Sequence, residues 1–347
     1  MMGYKPAVVA NMVAKFWLVL LGLAFLVSCS DAPKQIRFSG DTMGTTYNIT
    51  LFSKDPRHSQ AEIQKKVETV LAQVNAQMST YDPESELSRF NQHDSTQPVV
   101  ISRALERVVS RALEISAQTD GLLDVTVGPL VNLWGFGPQA KPEQVPTPDE
   151  LHEVRAYVGY DKLTLANHQL AKSHPQVYVD LSTIAKGYGV DRVAYLLDDL
   201  DITQYLVEIG GEIRTRGGKP NGKPWRLAVE KPVSTERSVQ EVVSFSEGAL
   251  ATSGDYRNFY EENGRRYSHI INPLTAEPIQ HNLVSVSVYA DDCMSADAYA
   301  TALLVMGPEQ AKAFVTEHQI DTMLVLKTDD GFEEWVSPGF EKLLSDE

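Results

Sequence analysis

One run of residues constrains this chain more than any other: an alternating stretch that passes directly into an apolar helical one. Residues 283–289 read Leu-Val-Ser-Val-Ser-Val-Tyr, and their period of two predicts a strand with one buried face. Residues 290–307, ADDCMSADAYATALLVMG, follow at once. Asp291 and Asp292 offer a helix N-cap, and Met294, Ala298, Ala302, Val305 and Met306 recur at helical spacing. Asp297 and Thr301 stand four residues apart, so a carboxylate and a hydroxyl project from one helix face. Such a pair suits a hard cation such as Mg²⁺ that also holds phosphates. It equally suits a first-turn aspartate favoured by the helix dipole, with a threonine bonding back to a carbonyl. Spacing alone leaves both readings open.

The rest of the chain supplies helices first and strands later. Ile63, Val67, Val70, Leu71, Val74 and Met78 trace a long amphipathic helix after two strand segments within 35–53. Leu105, Val108, Val109, Ala112 and Leu113 trace a second helix. Residues 177–180 read as a short strand leading into a helix through Val193, Leu196 and Leu197. Residues 205–209 and 212–216 read as strands around a Gly210-Gly211 turn, and further strands follow at 225–230, 239–245, 248–253 and 266–271. Helices in the first half and antiparallel-looking strands in the second predict an α+β fold rather than a doubly wound sheet.

The N-terminus stands apart. Lys5 and Lys15 precede an apolar run over 16–27 that ends in Leu26-Val-Ser-Cys29. This resembles a bacterial lipoprotein signal, so residues 1–28 are expected to be removed and Cys29 lipidated, with residues 29–35 as a tether and 36–347 as the folded domain. The expected location is the periplasmic side of a bacterial membrane. Without residues 1–28 the net charge is about −17. So acidic a surface repels nucleic acid, and a phosphate-bearing ligand needs local cations. With Cys29 acylated, only Cys293 remains, which excludes an internal disulfide.

Chemistry-bearing residues are few. Asp180 precedes Lys186-Gly-Tyr-Gly189 by six residues, a strand-to-helix joint whose glycines can let backbone approach a phosphate. The spacing is neither a Walker loop nor a Rossmann fingerprint. His269, in Ser268-His-Ile-Ile-Asn-Pro273, sits at a strand end and can serve as a general base or as hydrogen-bonded structure.

Taken together, Met43-Gly-Thr-Thr-Tyr47, Tyr81-Asp-x-x-Ser85, Asp124-Val-Thr-Val-Gly128, Asp180 to Gly187, Ile209-Gly-Gly211, Ala251-Thr-Ser-Gly254, Ser268 to Pro273 and Ala296-Asp-Ala-Tyr-Ala-Thr301 resemble the ApbE family of FAD:protein FMN transferases. The resemblance implies an ApbE-like, T-fold-like α+β domain with antiparallel-rich sheets flanked by helices. It implies Mg²⁺-dependent transfer of FMN from FAD to a Ser or Thr hydroxyl of an acceptor protein, with AMP leaving. The acceptors it implies are flavin-carrying subunits of membrane redox complexes. Carried over, Asp297, Thr301 and the Thr183 carbonyl hold the metal, and His269 and Asp297 are catalytic. Met43, Tyr81, Asp124, Val125, Thr126, Asp180, Lys186 and Ile271 line the FAD site. A Mg²⁺-dependent FAD pyrophosphatase, with water in place of the acceptor, and a non-enzymatic FAD-binding lipoprotein are the rival readings.

Overall fold

A computed structural model describes residues 32–137, 145–233, 239–256, 258–262 and 264–344. The signal segment, Cys29 and the first residues of the expected tether lie outside the described residues. An eight-stranded sheet organises the domain, and its spatial order is its chain order. The strands are β1 (Lys34–Thr42), β2 (Thr45–Ser53), β3 (Tyr205–Ile209), β4 (Glu212–Arg216), β5 (Gly248–Gly254), β6 (Leu283–Ala290), β7 (Asp321–Thr328) and β8 (Gly331–Val336). Every neighbouring pair is antiparallel. The sheet starts earlier than expected, because Lys34 and Gln35 of the tether pair with Ser53 and Phe52.

Three joints in this sheet are two-residue turns, Asp329-Asp330 between β7 and β8 among them. Met43-Gly44 links β1 to β2 with φ of 49° and 71°, and Gly210-Gly211 links β3 to β4 with φ of 62° and 108°. Positive φ at both central positions matches the twist of the strands on either side. Glycine adopts it freely; a methionine there is uncommon.

Helices fill one face of the sheet. The main ones are α1 (Gln60–Met78), α2 (Arg103–Gln118), α3 (Ala185–Asp199), α4 (Cys293–Met306) and α5 (Pro308–His318). Ser59 and Ser102 cap α1 and α2 through their side chains, accepting from the Glu62 and Leu105 amides. On the helix face, α4 packs Ala296, Ala300, Leu303 and Leu304 against Ala251, Val286, Val288 and Leu324. Its other side packs Met294, Ala298 and Ala302 against Leu105, Val108 and Val109 of α2. The stripe read from the sequence is therefore only one of two apolar faces, and α4 is a core helix between layers.

The second sheet face is covered too, which corrects the expectation of one buried face for β6. The hairpin Trp225–Glu230 and Val239–Phe245 lays Leu227, Val243 and Phe245 over Leu250, Val284, Met323 and Val325. Ser285 and Ser287 are consequently buried, and Ser287 Oγ pairs with Thr252 Oγ1 at 2.8 Å. Residues 177–180 form no strand. Their backbone is bonded instead by Asn91, whose amide group donates to the Val179 carbonyl and whose Oδ1 accepts from the Val179 amide, both at 2.8 Å. The Asp180 amide donates to the Val125 carbonyl at 2.7 Å. Among the described residues no helix is long and apolar enough to cross a membrane.

Candidate active site

Helices α3 and α4 meet at their N-terminal ends, and each is capped by an aspartate of the other. Asp191 of α3 accepts from the Cys293 and Met294 amides at 3.0 and 2.9 Å. Asp297 of α4 accepts from the Gly187 amide at 3.0 Å. Both helix dipoles thus end on a carboxylate from across the interface. The approach is close because Gly187 has no side chain: a Cβ there would lie 2.3 Å from the Cys293 carbonyl oxygen. A Cβ at Gly189 would meet Met43 Cε at 2.9 Å. The two glycines expected to admit a phosphate are buried in α3 and serve packing instead.

The cleft opens beside this joint. One cavity of about 400 Å³ is lined by Tyr81, Asp124, Asp180, Thr183, Lys186, Glu212, His269, Ile271, Asp297 and Thr301, among others. A second, of about 550 Å³, is lined by Met43, Val74, Met78, Tyr81 and Lys186, and shares Tyr81, Asp180, Ser182 and Lys186 with the first. Nearly all the predicted site residues are therefore brought together. Val125 and Thr126 are not on the wall; they lie behind it, 1% and 0% exposed. Thr126 braces its neighbour: Asp124 Oδ1 accepts from the Thr126 amide and hydroxyl, both at 2.7 Å, and Asp124 Oδ2 from the Tyr160 amide at 2.9 Å. Burial still raises the Asp124 pKa against those bonds. Tyr81 is 76% exposed on the rim, available to stack on a planar ligand.

The charged centre is Lys186 with Asp297 and Glu212. Lys186 Nζ lies 2.5 Å from Glu212 Oε1 and 3.7 Å from Asp297 Oδ1. Burial works against its charge, but the two carboxylates outweigh that and keep the ammonium protonated above the ordinary lysine range. Burial pushes the Glu212 carboxyl up to about 7, with Lys186 opposing. Glu212 is a site residue that the sequence reading did not single out. Its signal is a carboxylate placed directly after the Gly210-Gly211 turn, where a tight hairpin delivers it into the cleft.

His269 follows the strand Arg265–Ser268, in a hairpin with Phe259–Glu262. The strand expected over 266–271 is divided here into Arg265–Ser268 and Ile271–Asn272, and the His269 amide donates to the Asn258 carbonyl at 3.1 Å. That same carbonyl faces His269 Nδ1 at 3.0 Å. A carbonyl can only accept, so Nδ1 carries the proton and Nε2 keeps a lone pair. Burial lowers the His269 pKa, which favours the neutral ring. Stacked rings anchor this hairpin: Trp134 on Tyr267 at 5.5 Å, Tyr267 on Tyr260 at 5.2 Å and Tyr260 on Phe136 at 5.4 Å. The edge of Phe136 then meets His269 at 6.4 Å.

The centre fits a small divalent cation. With both carboxyls ionised, two negative charges face one ammonium and leave a net negative charge. Thr183 Oγ1 is buried without a hydrogen-bond partner, as is Glu212 Oε2. The Gly187 amide, which would otherwise close a turn onto the Thr183 carbonyl, is taken by Asp297. Thr301 Oγ1 contacts Ser253 Oγ at 3.0 Å. Among the described residues no group of three or more His, Cys, Asp and Glu can hold a metal. A cation here would rely on Asp297 and neutral oxygens, a donor set that suits Mg²⁺ and leaves positions for water or phosphate.

The sequence profile of the ApbE family matches residues 43–324. The chain is 50% identical over 330 residues to the FAD:protein FMN transferase of Vibrio cholerae serotype O1, spanning 95% of this chain and 99% of that protein. The solved structure of the flavin transferase ApbE from Vibrio cholerae matches with a TM-score of 0.84 at 50% identity, covering 90% of this chain and all of that one. The Pseudomonas stutzeri flavinyl transferase ApbE, apo form, matches with a TM-score of 0.84 at 35% identity, covering 91% and 98%.

Proposed function

Because the chain belongs to the ApbE family, we propose that it is an FAD:protein FMN transferase that moves FMN from FAD to a Ser or Thr hydroxyl of an acceptor protein and releases AMP. The observation that carries this reading is the convergence of Asp297, Lys186 and a neutral-favoured His269 on one cavity. The two adjoining cavities together have room for an extended dinucleotide. Asp297 and Thr301, with the Thr183 carbonyl, would hold Mg²⁺, which when bound polarises the phosphorus and offsets diphosphate charge. His269 Nε2 takes the proton of the acceptor hydroxyl. The hydroxyl oxygen bonds to the phosphorus of the FMN half, and the anhydride P–O bond breaks. AMP leaves with that bond's electron pair, and Lys186 is placed to meet the charge.

Incubating the protein with FAD, Mg²⁺ and a flavin-carrying subunit of a membrane redox complex should release AMP and add one FMN to the acceptor, as read by mass spectrometry. AMP released with no adduct would instead assign a pyrophosphatase. The proposal includes the address: the Leu26-Val-Ser-Cys29 box supports lipidation at Cys29 and a periplasmic location. Cys29→Ser should then leave the protein unanchored, and cytoplasmic protein with residues 1–28 intact would contradict it.

A further inference from the structure

Glu212 is 2% exposed and lies at the head of β4, directly after the Gly210-Gly211 turn. One of its oxygens holds Lys186 at 2.5 Å, while the other, Oε2, is buried with no hydrogen-bond partner. Nothing crowds that second oxygen at the turn: a Cβ on Gly210 would lie 3.5 Å from it, an ordinary contact, and the tight approach there, 2.8 Å, is to Thr45 Cγ2. A helix capped by Asp297 and a lysine already drawn toward Asp297 do not need a further buried carboxylate for stability. Burying such a group without a full set of partners is unfavourable. Its position on the cavity wall beside Lys186 and Asp297 points to the ligand instead.

With no cation present, a diphosphate entering this cleft meets Asp297 and Glu212, and the nearby ammonium is already engaged by both. With a cation on Asp297, the local charge reverses and Lys186 is released from one of its two partners. We propose that Glu212 makes FAD binding conditional on the divalent cation, by holding Lys186 back and adding a second negative charge that the cation must offset. Glu212 is thus a positioning residue acting through Lys186, not a group that touches the reacting atoms. This inference rests on the flavin-transferase reading above.

The test is FAD affinity by fluorescence quenching, with Mg²⁺ and with EDTA, at about pH 8 so that carboxylates are ionised. The wild-type protein should bind FAD at least about tenfold more tightly with Mg²⁺ than with EDTA, as expected for one unit charge in a partly dry cleft. Glu212→Gln keeps the shape and removes the charge. It should tighten binding in EDTA while raising the Mg²⁺ concentration needed for half-saturation, so the ratio narrows. Glu212→Asp keeps the charge and should restore the wild-type ratio. Weakening of FAD binding by Glu212→Gln equally in both conditions is the mark of a merely structural residue and overturns the proposal. Equal wild-type affinity with Mg²⁺ and EDTA overturns it without any variant, so a poorly folding mutant leaves the test intact. No FAD binding in either condition removes the flavin-transferase reading itself, and this inference with it.

Discussion

Asp297 has two duties that different substitutions separate. Its Oδ2 caps α3 through the Gly187 amide, and its charge faces Lys186 and the expected cation. Asp297→Asn keeps an acceptor for the amide, so it should abolish transfer with little change in unfolding midpoint. Asp297→Ala should also lose the cap, for roughly 0.5–2 kcal/mol. Equal activity of wild type and Asp297→Asn would remove the carboxylate from the chemistry. If His269 is the base of the proposed transfer, its neutral ring is the active form, and burial lowers its pKa. Transfer should therefore hold as pH falls to the ordinary imidazole range and drop only below it. His269→Ala should bind FAD but lose about 10²–10⁴-fold in rate, with adduct formation followed by mass spectrometry. Glu212 gives a stability counterpart. Its carboxyl titrates near 7 when folded against an ordinary 4.5, so the folded state takes up a proton between those values. Its stabilising contribution is complete below the ordinary value and is lost as pH rises toward 7. Urea unfolding of wild type should weaken across that window relative to Glu212→Gln, which has no such group.

At the scale of elements, the α3–α4 joint decides whether the cleft exists. Gly187→Ala would drive a Cβ into the Cys293 carbonyl, 2.3 Å away, where backbone cannot yield as a side chain can. Overpacking of this kind costs about 1–3 kcal/mol, and the displaced α3 N-terminus should take activity with it. A variant with wild-type unfolding midpoint and transfer rate would mean that the helices part more easily than their contacts suggest. This joint also explains what could be read in advance. The α4 helix, its Asp292 cap, the Gly210-Gly211 hairpin and the α1 and α2 stripes are local patterns, and the chain spells them out; the break expected over residues 39–44 shrinks to Met43-Gly44, because Ser39 to Thr42 keep pairing with β2. The role of Gly187 depends on a helix more than a hundred residues later, so in the sequence it reads only as a glycine at a strand-to-helix joint that can admit a phosphate. Val125 and Thr126 shared a motif with Asp124, but their burial is set by the core behind it. Residues 177–180 had strand-like composition, and it is Asn91 that satisfies their backbone. Glu212 was silent because its partner, Lys186, is twenty-six residues away and on another element.

For the molecule as a whole, the excess of carboxylates sets how ligands arrive. With a net charge near −17 on residues 29–347, the long-range field repels an anionic dinucleotide, and the attraction of the cleft is short-ranged. Raising ionic strength from about 10 mM to about 150 mM should therefore speed FAD association, the reverse of a steered encounter. Stopped-flow fluorescence measures it, and an association rate that falls with added salt would show that the cleft's own potential dominates. The sheet order carries a different consequence, for how the chain is made. Each strand pairs only with its sequence neighbours, yet roughly 150 residues separate β2 from β3, a span whose extra closure entropy grows only logarithmically. A chain that emerges N-terminus first, from the ribosome or from an export channel, therefore completes the β1–β2 hairpin long before Tyr205–Ile209 arrives to meet it. Through that interval the open edge of β2, Tyr47 to Leu51, is a strand waiting for a partner. The emerging chain is most vulnerable to mispairing there, before Glu212, His269 and Asp297 of the candidate site have been made.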